Sequence, residues 1–314
     1  VNVQQNTPHL SKRTLSNVEN FMLSGTAAVI SKTASAPIER VKLLLQNQDE
    51  LIKSQRLSHA YESVTDCMTR TYKNEGLKSF WRGNLANCLR YFNYQALNFT
   101  LKEKIKLKFH EYSLIQTVDG NHQLQNVLFT HIIIGGMAGL CSGSILYSLD
   151  YARTRLANDV LLKQKQRQFT GIVDVYRQTL KSDGFVGLYR GFWITCITIM
   201  MYRGLYFGLY DSMKVLQPAM MDKSYFNKFM VGYAISAFAS VVVYPLDTVR
   251  RRMMMTSIED AKYNGSLDCM RYISRNEGMK SFYKGCGVNV FRGLAGAGTL
   301  VGFDLFQSLY IQYT

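Results

Sequence analysis

Long apolar segments dominate the hydropathy pattern of this chain, and most are interrupted by a charged residue. Two stretches, 120–149 and 229–246, contain no Asp, Glu, Lys or Arg. At a rise of about 1.5 Å per residue, either is long enough as a helix to cross the roughly 30 Å hydrocarbon core of a bilayer. Together with four less apolar segments they predict six long helices, near 16–47, 84–110, 126–158, 192–216, 225–256 and 288–311.

The four less apolar segments are expected to fail a simple hydropathy test, because they are interrupted by Lys32, Arg90, Arg203 and Arg292. An ionisable side chain inside a membrane is costly unless it faces a wet interior. The four cations therefore predict a polar cavity lined by the helices. Such a cavity also accounts for a mean hydropathy of only −0.08.

Three signatures recur in the same order, which identifies three internal repeats. The first places an acid three residues before a base, in SAPIERVK at 35–42, YSLDYART at 147–154 and YPLDTVRR at 244–251. The second joins acid-Gly to aromatic-base-Gly, in EGLKSFWRG at 75–83, DGFVGLYRG at 183–191 and EGMKSFYKG at 277–285. The third again places an acid three residues before a base or amide, at Glu103 and Lys106, Asp211 and Lys214, and Asp304 and Gln307.

Each repeat therefore predicts a long helix, a short amphipathic helix and a second long helix. The fold class we expect is an all-α membrane protein, with six transmembrane helices in three pseudo-threefold repeats around a cavity. The repeats are placed at 16–111, 126–216 and 225–312 of a single domain, 1–314, after an N-terminal extension, 1–15. The short amphipathic segments are AYESVTDC at 60–67, FTGIVDV at 169–175 and YNGSLDC at 263–269.

Composition narrows the choice of partner. A net charge of +15 predicts an anionic partner, which could be nucleic acid, acidic lipid or a polyanionic small molecule. A soluble basic enzyme would share this charge, but the sequence has no GxxxxGK[ST] loop and no metal-ligand cluster of His and Cys. We therefore expect no catalytic residue, metal or cofactor. The N-terminus lacks the apolar core of a secretory signal, and the six scattered cysteines are expected to be reduced and packed as small apolar groups.

The first signature supplies three acids and three bases that threefold symmetry would bring together as a ring. We expect the ring to pair Lys42 with Asp150, Arg153 with Asp247, and Arg250 with Glu39. It could be a gate at one membrane face or a permanent structural clasp. The third signature predicts a second ring at the other face, which favours two alternating gates. Its pairs would be Glu103 with Lys214, Asp211 with Gln307, and Asp304 with Lys106.

Positions that differ among the repeats are candidates for holding an asymmetric ligand. Lys32 is matched by uncharged residues in the other repeats, while Arg90 and Arg292 match Thr198. Lys32 lies ten residues, or about 15 Å of helix, from Lys42, which places it near mid-membrane if the ring marks one face. With no acid to pair them, three such cations would bind a multiply charged anion. The alternatives are cations that snorkel or that pair with acids the sequence does not reveal.

A stripe of tyrosines, Tyr202, Tyr206 and Tyr210, follows one face of the fourth long helix. Such a ladder could stack an adenine base along the cavity. Equally, it could be helix packing or an anchor at the membrane interface.

The three repeats, with their paired signatures, resemble the mitochondrial carrier family across nearly the whole chain. The run RRRMMM at 250–255 is similar to a signature of the members that exchange adenine nucleotides. The resemblance implies a multi-pass transporter of the inner membrane, with the first ring at the matrix side and the second at the cytoplasmic side. It implies electrogenic, alternating-access exchange of cytosolic ADP for matrix ATP. A relative that carries phosphate, a dicarboxylate or ATP-Mg remains the alternative.

The resemblance also implies roles for further residues. Gln46 would brace the matrix ring, Arg251 would act in substrate or gate electrostatics, and Tyr202, Thr198 and Ile199 would line an adenine pocket. Glycines that open helices expose backbone N–H groups, which favour phosphate, and the resemblance names cardiolipin as the bound lipid. Membership of larger inner-membrane assemblies stays open. The lipid-binding glycines would be Gly83, Gly171, Gly191, Gly265 and Gly285.

Overall fold

The computed structural model describes residues 17–94, 97, 141–161, 167–216, 225–258 and 263–293, and these form helices joined by turns and short loops, with no strand among them. Helices α1, α4, α6 and α7 belong to the predicted long helices, and α3 and α9 are the described starts of two more. The bounds are α1 Asn17–Lys53, α2 Val64–Glu75, α3 84–94, α4 Tyr147–Ala157, α5 Ile172–Leu188, α6 Phe192–Leu216, α7 Tyr225–Met255, α8 Ser266–Tyr272 and α9 286–293.

Two helices of the described part are long and apolar enough to span a membrane by length and composition. One is 229–255, which contains the charge-free stretch expected from the sequence. The other is 192–210, which passes with a mean hydropathy of 1.3. The expectation that this fourth segment would fail was wrong, because one arginine does not offset its many large apolar side chains. The charge-free stretch 120–149 lies mostly outside the described residues.

The first long helix of each repeat, α1, α4 or α7, has an irregular feature near the first signature. Pro37 lies inside α1 and Pro245 inside α7, where proline removes a backbone N–H from the helix ladder. The second repeat has Ser148 at this position, and there the helix breaks at Leu146, whose backbone is not helical. The Ser148 hydroxyl accepts a hydrogen bond of 3.1 Å from the hydroxyl of Tyr176. Only the second repeat breaks the helix at this level, while the first and third continue through the proline as one helix.

The short helices begin with the same acidic cap in all three repeats. Asp66, Asp174 and Asp268 each accept a hydrogen bond from the backbone N–H four residues earlier, at 3.2, 2.9 and 3.1 Å. A carboxylate at this end also offsets the positive end of the helix dipole. In the first repeat the Ser63 hydroxyl adds a cap by accepting from the N–H of Asp66. The short amphipathic helices expected from the sequence are therefore present.

Neighbouring repeats touch at the glycines that close the second signature. Gly83, Gly191 and Gly285 have positive φ angles of 82°, 80° and 80°, which few other residues adopt. A Cβ atom on Gly83 would lie 3.0 Å from the carbonyl oxygen of Arg153 in the next repeat. The same substitution on Gly285 would bring Cβ to 3.2 Å from the carbonyl oxygen of Lys42. The glycines therefore allow each second long helix to start against the first helix of the following repeat.

Small apolar clusters support these junctions, and the cysteines belong to them. Cys67 and Cys269 are fully buried, each beside a phenylalanine of its own repeat. Burial raises the pKa of both thiols to about 12, so they remain neutral. All six cysteines are unpaired, as expected, although Cys141 is exposed rather than packed.

Candidate substrate cavity and gate

A cavity of about 810 Å³ lies among the helices of all three repeats. Its walls come from α1, α3, α4, α6, α7 and α9, and its floor is formed by the first-signature residues. Seven of the lining side chains are cationic and three are acidic, a surplus of four positive charges. This cavity is the polar interior expected from the interrupted helices. The cationic lining residues are Lys42, Arg90, Arg153, Arg203, Arg250, Arg251 and Arg292, and the acidic ones are Glu39, Asp150 and Asp247.

The first-signature residues form a closed ring, but its pairs run in the opposite direction from the one expected. Arg153 pairs with Glu39, Arg250 pairs with Asp150, and Lys42 pairs with Asp247 at 3.1 Å. Each base therefore contacts the acid of the preceding repeat. The expected pairs, Lys42 with Asp150, Arg153 with Asp247 and Arg250 with Glu39, were wrong. Threefold symmetry permits both directions, and the order in which the repeats wind around the axis selects one.

Two uncharged side chains brace the ring. Gln46 donates hydrogen bonds to Asp247 at 3.2 Å and to the hydroxyl of Thr248 at 3.1 Å. Asn87, on α3, donates to Glu39 at 3.1 Å. The position of Gln46 agrees with the brace that the family resemblance implied. Asn87 was missed, since one asparagine on a helix carries no signal of its own.

Arg251 ties two members of the ring together. Its guanidinium lies 3.5 Å from Asp150 and 3.7 Å from Asp247, and it donates to the hydroxyl of Thr154 at 2.5 Å. The side chain is almost completely buried. It thus adds a positive charge to the ring.

A second layer of ion pairs lies beyond the ring, and sequence reasoning missed it. Arg252 is fully buried and contacts Glu277 at 2.7 Å and Asp49 at 2.9 Å. Asp49 also accepts from Lys284 at 2.6 Å, and this contact joins the first repeat to the third. An arginine at the end of a basic run is ordinarily solvated, so Arg252 gave no sequence signal beyond its place in that run. Lys284 is the base of the aromatic-base-Gly signature in the third repeat, and its recurrence in all repeats was the sequence signal that could have indicated this contact.

The same signature joins the first repeat to the second. Arg82 donates to Asp159 and to the carbonyl oxygen of Phe169, both at 2.5 Å. Arg40 lies nearby, fully buried, and pairs with Glu75 at 2.8 Å. These contacts hold the short helices of adjacent repeats against the ends of the long ones.

The three candidate anion-binding cations share the ring's acids, which corrects the expectation that no acid would pair them. Lys32 lies 3.4 Å and Arg292 lies 3.9 Å from Glu39, while Arg90 lies 3.7 Å from Asp150. Lys32 and Glu39 are seven residues apart, so two helical turns place them on one face. Arg90 and Arg292 line the cavity. Lys32 is not among the lining residues, but it contacts two of them. It pairs with Glu39, and its ammonium lies 4.3 Å from the centre of the Tyr91 ring.

The tyrosine stripe is stacked as expected, with ring centres 6.4 and 6.0 Å apart. Of the three rings, Tyr202 belongs to the cavity wall, where its hydroxyl lies 2.8 Å from that of Ser236. Tyr206 and Tyr210 pack instead against Val231 and Ile235 of α7. The stripe therefore combines a cavity residue with helix packing. Thr198 and Ile199 also line the cavity beside Tyr202.

Other predicted sites are only partly within the described structure. Four members of the second ring, Glu103, Lys106, Asp304 and Gln307, lie outside the described residues, and Asp211 and Lys214 lie near the end of α6. Gly171 and Gly265 are the N-cap residues of α5 and α8, and glycine itself offers no side chain to cap the helix. No group of three or more His, Cys, Asp or Glu in the described part could hold a metal ion.

These features define a class of protein. Three helical repeats enclose a positively charged cavity, and a ring of ion pairs closes its floor, as in a gated membrane transporter. The sequence matches the mitochondrial carrier protein family three times, over residues 13–113, 125–220 and 222–314. The chain therefore belongs to the mitochondrial carrier family, and it is a multi-pass transporter of the inner membrane, not an enzyme.

Three similar proteins are named as ADP,ATP carriers. The chain is 53% identical to the Gossypium hirsutum protein named ADP,ATP carrier protein 1, mitochondrial. The match extends over 291 residues, which are 92% of this chain and 74% of the relative. It is 51% identical to the Triticum aestivum protein of the same name, over 97% of this chain and 91% of the relative. It is 49% identical to the ADP,ATP carrier protein of Chlamydomonas reinhardtii, over 93% of this chain and 94% of the relative.

Proposed function

We propose that this chain exchanges cytosolic ADP for matrix ATP across the mitochondrial inner membrane by alternating access. The observation that carries the proposal is the surplus of four positive charges among the residues that line the cavity, including the ring at its floor. A nucleotide with three or four negative phosphate charges would offset that surplus. Relatives about half identical to this chain carry ADP and ATP in their names.

The phosphates would be held by Lys32, Arg90 and Arg292. An arginine can bind phosphate through two parallel hydrogen bonds, while a lysine acts as a point charge. All three cations also contact acids of the ring, so bound phosphates would compete with those acids. Substrate binding would thereby loosen Glu39 and Asp150 in the closed gate.

The adenine would bind beside Tyr202, Thr198 and Ile199, which line the cavity from α6. The Tyr202 ring offers an aromatic face, and Ile199 is partly exposed. Tyr206 and Tyr210 are committed to packing against α7, so their role would be to hold Tyr202 in place. Base recognition would then depend on one aromatic ring rather than on a continuous ladder.

The matrix gate would open when the three ion pairs of the ring separate. Separating these pairs removes the attraction between opposite charges, so the gate should stay closed without substrate. The second ring, Glu103, Lys106, Asp211, Lys214, Asp304 and Gln307, would then close the cytoplasmic side. Two gates that close alternately give strict exchange. After one nucleotide is released, the carrier returns to its first state only when a nucleotide binds from the opposite side.

Exchange of ATP with four negative charges for ADP with three moves one net charge. That charge is worth about 2.3 kcal/mol for each 100 mV of membrane potential, which drives ATP outward. An imposed potential should therefore accelerate ATP efflux from liposomes that contain the purified chain. Exchange that ignores the potential would contradict the electrogenic proposal.

Cardiolipin would bind where glycines expose helix N-termini at the matrix surface. The contact between Arg82 and Phe169 brings Gly83 and Gly171 of adjacent repeats together, so one lipid phosphate could meet both helix ends. By repetition, Gly191, Gly265 and Gly285 would form the other sites. The Ser63 hydroxyl already caps the corresponding helix in the first repeat, which would weaken that site.

A thermal-shift comparison tests the substrate class directly. A ligand stabilises a protein by about 2.7 kcal/mol when its concentration is one hundred times its Kd. We expect ADP and ATP to raise the unfolding temperature, and phosphate, citrate and dicarboxylates to have little effect. Stabilisation by phosphate or citrate but not by ADP would instead favour a carrier of another anion.

A further inference from the structure

A second cavity, of about 410 Å³, lies on the outer surface of the third repeat, away from the substrate cavity. One wall is the membrane-spanning helix α7 at Pro245, and the other is the short helix α8 with the turns that follow it. Its volume falls within the roughly 300–1,000 Å³ typical of ligand sites. The lining residues are Pro245, Met270, Arg271, Ser274, Arg275, Met279, Phe282 and Tyr283.

The cavity is apolar inside and cationic at its rim. Phe282 is buried at its base, while Met279 and Tyr283 are 65% and 44% exposed at its walls. Arg271 and Arg275 are exposed, and in the described part of the chain neither guanidinium has an ion pair or a hydrogen bond. A groove of this kind at a membrane surface matches a molecule with a hydrocarbon chain and an anionic head.

The third repeat differs from the others where this groove forms. Ser274 lies three residues before the acid of the second signature, and the corresponding residues are Tyr72 and Leu180. Serine leaves open a space that the larger side chains would fill. In the second repeat, Tyr176 occupies the position of Met270 and bonds to Ser148 across the same junction. Ser274 therefore distinguishes the third repeat from the other two at this position.

The backbone also changes at this point. Residues Ile273–Glu277 form a turn of π-helix, whereas the first repeat continues as an α-helix to Glu75. A π-helical turn is rare and often accompanies a functional site. Here it carries Ser274 and Arg275, the residue that opens the groove and one of the two cations at its rim.

We propose that this groove binds one anionic phospholipid of the surrounding bilayer, with an acyl chain against Phe282, Met270 and Met279 and the phosphate between Arg271 and Arg275. Arginine binds phosphate through paired hydrogen bonds, and basic pockets at membrane surfaces select anionic headgroups. The site lies within one repeat and is distinct from the helix-start glycines. It does not depend on which anion the central cavity carries.

Native mass spectrometry of the full-length chain with phosphatidylglycerol and phosphatidylcholine tests this proposal. We expect the double variant Arg271→Gln/Arg275→Gln to retain one phosphatidylglycerol fewer than the parent. Ser274→Tyr, which introduces the residue of the first repeat, should lose the same lipid by filling the groove. The matched control is Lys73→Gln, an exposed cation at the position corresponding to Arg275, and its lipid count should not change.

Unchanged phosphatidylglycerol retention in the double-arginine variant would overturn the proposal, as would equal retention of phosphatidylcholine by the parent. The unfolding temperature in phosphatidylcholine micelles checks that each variant is folded. If Ser274→Tyr fails that check, the double-arginine variant still decides the question, because both of its positions are exposed.

Discussion

Arg153 pairs with Glu39 of the preceding repeat and not with Asp247 of the following one. The same direction holds for Arg250 with Asp150 and for Lys42 with Asp247, so the ring is closed by one rule. This direction decides which first helices the ring ties together. Each ion pair of the ring joins two consecutive repeats, with the third joined back to the first.

Exchanging the charges of a true pair should restore what each single reversal destroys. We expect Glu39→Arg and Arg153→Glu separately to lower the unfolding temperature and abolish nucleotide exchange, because each leaves like charges buried together. The double variant should recover part of the unfolding temperature and part of the nucleotide exchange. The coupling free energy between the two positions should be about 0.5–3 kcal/mol. The control is Arg153→Asp with Asp247→Arg, which should show no recovery. Recovery in the control and not in the test pair would contradict the observed ring.

Removal of Arg252 should destabilise the protein more than removal of an exposed cation. Arg252→Met leaves Asp49 and Glu277 without their buried partner, at a cost of about 3–5 kcal/mol. Lys280→Met, at an exposed position, should change stability by less than about 0.5 kcal/mol. Thermal unfolding of both variants in one detergent measures the difference. Equal unfolding temperatures would show that this layer of ion pairs contributes little.

Gly83 should not tolerate a side chain. Gly83→Ala places a Cβ atom 3.0 Å from the carbonyl oxygen of Arg153 and requires a positive φ angle. We expect a loss of about 1–3 kcal/mol, seen as a lower unfolding temperature. Gly204→Ala is the matched control, since nothing lies within 4 Å of its added Cβ and its helical backbone favours alanine. A neutral Gly83→Ala would mean that the junction between repeats can widen.

Lys32 should contribute to nucleotide binding more than to stability. Removing one charged contact costs about 1.5–3 kcal/mol, which is roughly a tenfold to hundredfold loss of affinity. We expect Lys32→Gln to raise the ADP concentration needed for a given thermal shift by that factor, and to reduce exchange in liposomes. Lys78→Gln, an exposed position, should leave both unchanged. An unaltered ADP response in Lys32→Gln would remove this residue from the proposed site.

Cys67 and Cys269 should be unreactive in the folded protein. Burial raises the pKa of each thiol to about 12, so the reactive thiolate is scarce at pH 8 and reagent cannot reach the sulfur. Iodoacetamide labelling at pH 8 should modify neither residue until denaturant is added. Peptide mass spectrometry before and after denaturation provides the measurement. Rapid labelling of the native chain would indicate that the short helices open locally.

The repeated signatures alone identified the three-repeat helical architecture and the ring residues. They are local patterns, and their order along the chain does not depend on how the repeats meet. The braces of the ring were predicted less completely. Gln46 came from the family resemblance, while Asn87 and the buried Arg252 carry no local pattern that separates them from ordinary helix residues.

Tertiary structure decided which neighbours these residues meet. The ring could close in two directions with identical residues, since symmetry makes both directions equivalent in sequence. The contact of Arg292 with Glu39 joins two different helices, which helical spacing does not select. Sequence determined the faces of the helices, and packing determined what each face touches, because a side chain's partner is set by distances between segments far apart in the chain.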